Sequence, residues 1–80
     1  MNEDTKDQIA FLKQQLEWSR EQAQLLEAIE IKLIEMRELA EASLQLGLSQ
    51  VERESLNKQF QHLQEEVIEL QREAAPETLH

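Results

Sequence analysis

Two side chains stand at a spacing that metal chemistry uses. His62 and Glu66 are four residues apart, so on a helix they share one face. A closed metal site needs more ligands than two, and the only other histidine is His80, at the end of the chain. The plain reading of His62 is a flank residue beside a helical seam. Adjacent carboxylates such as Glu65 and Glu66 fall on faces expected to be solvated. The chain has no Cys, which removes thiol chemistry, disulfides and cysteine-based metal sites. It also has no Gly-rich phosphate loop, nucleophile elbow or dinucleotide fingerprint. The expectation is a non-enzyme that uses no metal, cofactor or small-molecule ligand.

What remains is binding. Trp18, the only tryptophan, fits a core or dimer interface, and it also fits an anchor for a second protein, since Trp is enriched at binding hot spots. Arg37 and Glu38 read as surface charges beside the seam, with a specific contact as the alternative. The net charge is −9, and the eight basic residues form no run. Such a surface repels phosphate backbones and anionic lipid, so neither nucleic acid nor a membrane surface is expected as a partner. The N-terminal stretch MNEDTKDQIAF has no apolar core of a secretory signal, and no apolar run is long enough to span a bilayer. A cytoplasmic protein is expected.

The elements that carry these residues are helical. One Gly, one Pro and abundant Glu, Gln, Leu and Ala in 80 residues favour long helices over a sheet. Apolar residues recur as Ile9, Leu12, Leu16, Ser19, Ala23, Leu26, Ile29, Leu33, Met36 and Ala40. The intervals alternate between three and four except at Leu26–Ile29, where two intervals of three follow one another. That irregularity reads as a stammer in a coiled-coil seam. A first helix over about 5–46 is predicted, with Gly47 closing it and Gly47-Leu48 as the turn. Ser49-Gln50-Val51-Glu52 reads as a capping box that opens a second helix over about 49–75. Its seam is Leu56, Phe60, Leu63, Val67, Leu70 and Ala74. Pro76 should stop it, leaving 76–80 as a tail.

So short a link implies an antiparallel hairpin, one all-α domain over 1–75, pairing Leu56 with Ala40, Phe60 with Met36, Leu63 with Leu33, Val67 with Ile29 and Leu70 with Leu26. The second helix is too short to cover the first. Ile9, Phe11, Leu12, Leu16 and Trp18 should overhang, and Ile31 and Ile34 form a further apolar strip. These seven residues are the predicted interface, most simply that of a homodimer forming a four-helix bundle. A fold-back near Trp18-Ser19, giving a three-helix monomer, is the alternative.

MREL at 36–39, SLNKQFQ at 55–61 and EEV at 65–67 resemble the N-terminal core region of bacterial flagellin. There a helix ending in Met-Arg-Glu-Leu turns into a second helix carrying a Leu-x-Lys-Glu-Phe-x-x-Leu-x-x-Glu-Ile pattern. The likeness covers about residues 26–70. Gln59 stands in place of the Glu, and Glu35 in place of the usual basic or polar residue before Met. The resemblance implies hairpin geometry and a protein partner, flagellin or a flagellar assembly factor. Length and acidity are also similar to those of small helical-hairpin regulators of phosphorelay response regulators. Their Ser-Gln-Glu-Leu-Asp segment is replaced here by Asn57-Lys58-Gln59-Phe60-Gln61, and this is the second functional reading.

Overall fold

In the computed structural model, which describes residues 2–74, the chain forms two helices, α1 over Glu3–Ala42 and α2 over Gln50–Ala74. They form an antiparallel hairpin, and no strand occurs among the described residues. The predicted stop at Ala75 and the tail at 76–80 lie outside the described residues.

The first helix begins earlier than its apolar pattern does. Asn2 caps it: the Thr5 amide donates to Asn2 Oδ1 at 3.0 Å, and the Thr5 hydroxyl donates to the same oxygen at 2.9 Å. Glu3 and Asp4 then sit against the positive end of the helix dipole. With no Gly or Pro to interrupt it, α1 runs unbroken through Trp18 and Ser19, so the fold-back is not adopted. Its 40 residues span about 60 Å, which accounts for most of the 72 Å long axis of the molecule.

The helix ends at Ala42, four residues before the predicted Leu46, and residues 43–49 form the connection in place of a two-residue turn. Ser43 is the reason. Its hydroxyl donates to the Ala40 carbonyl at 2.6 Å, and its own carbonyl accepts from Arg53 Nη1 of α2 at 3.1 Å. Carbonyls that would have continued the helix are thereby occupied, and a cation lies at the negative end of the dipole. The Leu44 and Gln45 amides donate back to Glu41 and Ala42, tightening the exit into a 3₁₀-type turn. Gly47 has φ 83°, but it serves a second turn in this connection and does not close α1. The capping box forms as expected. The Ser49 amide donates to Glu52 Oε1 and the Glu52 amide donates to Ser49 Oγ, each at 3.1 Å.

On α2 the covered face includes the predicted seam: Leu63, Val67 and Ala74 are buried, and Leu56, Phe60 and Leu70 partly so. The covered face of α1 differs from the prediction. Its covered residues from Gln22 on are Gln22, Leu25, Ala28, Ile29, Lys32, Met36, Leu39 and Ala42, and Leu26, Leu33 and Ala40 are exposed. The pairings that used these three therefore do not form. From Gln22 through Leu25, Ile29, Lys32 and Met36 to Leu39 the row alternates intervals of three and four, with Ala28 beside it, so it needs no stammer. The apparent stammer arose from joining two apolar faces of one helix, about 100° apart, into a single seam. Lys32 hid the true repeat by placing a charge in it.

Ile29, Val67 and Ala74 form the buried cluster, with Leu25, Met36 and Leu70 packed against it. This is a small core. The radius of gyration is 20.2 Å, against about 12 Å for a compact chain of this length.

Candidate functional site

Glu66 is the hub of the polar chemistry. Its Oε2 lies 3.1 Å from Lys32 Nζ across the hairpin, and its Oε1 lies 3.3 Å from His62 Nε2 one turn earlier. Lys32 and Glu66 keep 28% and 36% of their side chains exposed. The lysine stem thus lies along the seam while its head reaches the solvent edge, where the carboxylate meets it. Sequence reasoning missed this pair. Its signal was the strict seven-residue spacing of Phe11, Trp18, Leu25, Lys32 and Leu39, in which a lysine holds a seam place.

His62 is largely exposed and lines an open groove with Glu35, Glu38, Leu39, Gln59 and Leu63. No third metal-ligating side chain joins His62 and Glu66, and among the described residues no group of three or more such side chains could hold a metal ion. Arg37 donates from Nε to Glu41 Oε1 at 3.0 Å, both on the solvent face. The Ser49 amide, then its hydroxyl, holds the Glu52 carboxyl below its ordinary value. This is helix-cap chemistry, and the carboxylate serves the fold.

The prominent surface is apolar. All seven predicted interface residues, Ile9, Phe11, Leu12, Leu16, Trp18, Ile31 and Ile34, are exposed, and so are Leu26 and Leu33. Phe11 and Trp18 lie on the row that continues the seat of α2. Ile9, Leu12, Leu16, Ala23, Leu26 and Leu33 lie on a second row, each one residue after a position of the first. The loop adds Leu44 and Leu46, the latter 98% exposed, and α2 adds Val51 and Ile68. The surface the chain leaves to water is 6863 Å². A compact chain of 9.4 kDa exposes about 5,000 Å². The excess of about 1,900 Å² is more than twice the roughly 800 Å² that each partner gives to a standard interface.

Among the residues that carry the flagellin likeness, Met36, Leu39, Leu56, Phe60 and Val67 belong to the hairpin seam. Arg37, Glu38, Lys58, Gln61 and Glu65 are on the surface. No helix among the described residues is long and apolar enough to cross a membrane. No known protein family, curated protein or solved structure matches this chain.

Proposed function

We propose that the chain is a protein–protein interaction module that self-associates through its exposed apolar rows and carries out no chemistry of its own. One observation supports this above others. Among the described residues only Ile29, Leu63, Val67 and Ala74 are buried, while thirteen large apolar side chains are exposed. A core of that size leaves a lone hairpin only marginally stable, so association adds to folding stability. The flagellin likeness adds a partner class, flagellin or a flagellar assembly factor, engaged through the same hairpin.

Sedimentation velocity across a concentration series tests the first part. A dimer or larger species is expected, with a melting temperature that rises with concentration. A monomer at every concentration refutes self-association. A pull-down from a motile bacterium tests the second part: enrichment of flagellin or its chaperones supports the flagellar reading, and enrichment of a phosphorylated receiver domain refutes it.

A further inference from the structure

Resting on the self-association reading, we infer that the occupant of the second apolar row is the same row of a second copy, laid antiparallel. Three features of the chain lead there. The first is the row itself. Ile9, Leu12, Leu16, Ser19, Ala23, Leu26 and Leu33 follow coiled-coil spacing on a face of α1 that α2 leaves bare. Reversed about a point between Ser19 and Ala23, the row meets itself well. Ile9 falls opposite Leu33, Leu16 opposite Leu26, and Ser19 opposite Ala23. Small residues at the centre allow close approach of the helices. Leu12 opposite Glu30 is the single poor match.

The second feature is charge. The residues flanking this row at every seventh place are Lys6, Lys13, Arg20, Glu27, Ile34 and Glu41. They are basic toward the N-terminus and acidic or apolar beyond it. The antiparallel register sets Lys13 beside Glu27 of the other copy, twice per dimer. Arg20 meets Arg20 near the axis, with Glu17 three residues away on the same helix. A parallel pair would face Lys13, Arg20 and Glu27 with Gln8, Gln15 and Gln22, and would gain nothing from charge.

The third feature is length. Within one hairpin, α2 accompanies α1 from Leu25, packed by the Ala74 cluster, to Ser43, held by Arg53. In the antiparallel register those levels correspond to residue 17 and to the N-terminus of the other copy. The second copy's α2 therefore runs beside the overhang, flanking Phe11 and Trp18. A parallel dimer leaves both overhangs bare. The same arrangement brings two long helices together as the centre of a four-helix assembly, each end shielded by one α2.

The test uses the absence of cysteine in the chain. Ile9→Cys and Leu33→Cys are prepared separately, mixed, and treated with a bis-maleimide that spans the 8–10 Å typical of packed helix axes, a reach of about 9 Å. Covalent heterodimer in the mixture is expected, with little product from either variant alone. In the antiparallel register the two Ile9 positions are about 36 Å apart. In the chain without introduced cysteine, Lys13→Glu or Glu27→Lys should weaken dimerisation about tenfold at low salt, and the double exchange should restore it. If the chain dimerises but each cysteine variant links to itself, the antiparallel register is overturned and self-association stands. If no variant and no wild-type chain dimerises, both readings fall.

Discussion

Adjacent leucines on α1 offer the most direct test of which face α2 covers. Leu25 packs partly buried against the Ile29, Val67 and Ala74 cluster, whereas Leu26 is 60% exposed. Each is to be changed to Ala in a separate variant. The helix propensity change is the same at both sites and small, so the difference between them reads packing. Complete burial of a Leu side chain contributes about 1.5–3 kcal/mol, and deleting it adds a cavity term. With Leu25 partly buried and close to the cluster, Leu25→Ala should cost about 2 kcal/mol. With most of Leu26 already in water, Leu26→Ala should cost about 0.5 kcal/mol in the isolated hairpin. That gap corresponds to a melting difference of about 6–12 °C for a domain of this size. Urea unfolding followed by far-ultraviolet circular dichroism, at low and high protein concentration, measures both. The Leu25 cost should be the same at the two concentrations. The Leu26 cost should rise at the higher one, because that side chain lies on the row assigned to a second copy. Equal or larger cost at Leu26 under dilute conditions would show that α2 sits on the other face, and the reasoning from burial would fail.

Lys32→Met should leave the hairpin as stable as before or raise stability by up to about 1 kcal/mol, because the half-exposed pair with Glu66 contributes little and an apolar side chain fits the seam. Lys32→Ala, which also removes the stem, should cost about 1 kcal/mol, and chemical denaturation distinguishes the two. At the start of α2, Glu52 has a lowered pKa when folded, so the unfolded chain binds more protons there as the pH falls. The cap's contribution should be complete above the ordinary carboxyl value of 4.5 and be lost as pH drops through the lower folded value. Glu52→Gln, which removes the titrating carboxyl, should flatten that acid limb in thermal melts between pH 3 and 6, and an unchanged limb would remove the cap from the account.

Much of the fold is legible in the sequence because helices announce themselves locally. The absence of Gly and Pro from residues 2–46, the Ser49-to-Glu52 box and the unbroken repeat from Leu56 to Ala74 each act within a few residues of where they stand. The end of α1 was not legible in that way. It depends on Arg53 reaching the Ser43 carbonyl from ten residues further on, a contact that exists only once the hairpin has closed.

The candidate surface divides along the same line. Sequence alone determined that Ile9, Phe11, Leu12, Leu16, Trp18, Ile31 and Ile34 exceed what one short second helix can cover, since that follows from helix lengths and counts. It could not decide which of two apolar faces of α1 receives α2. The faces differ by one residue in phase, and a hydrophobic pattern values Leu26 and Leu33 above Gln22 and Lys32. The tertiary structure decided otherwise: the row from Gln22 to Leu39 keeps a regular repeat against α2 along the hairpin, and Lys32 is accommodated in it because its head reaches Glu66 at 3.1 Å at the solvent edge. The more apolar row was thereby left bare, and it is this row that a second copy would cover.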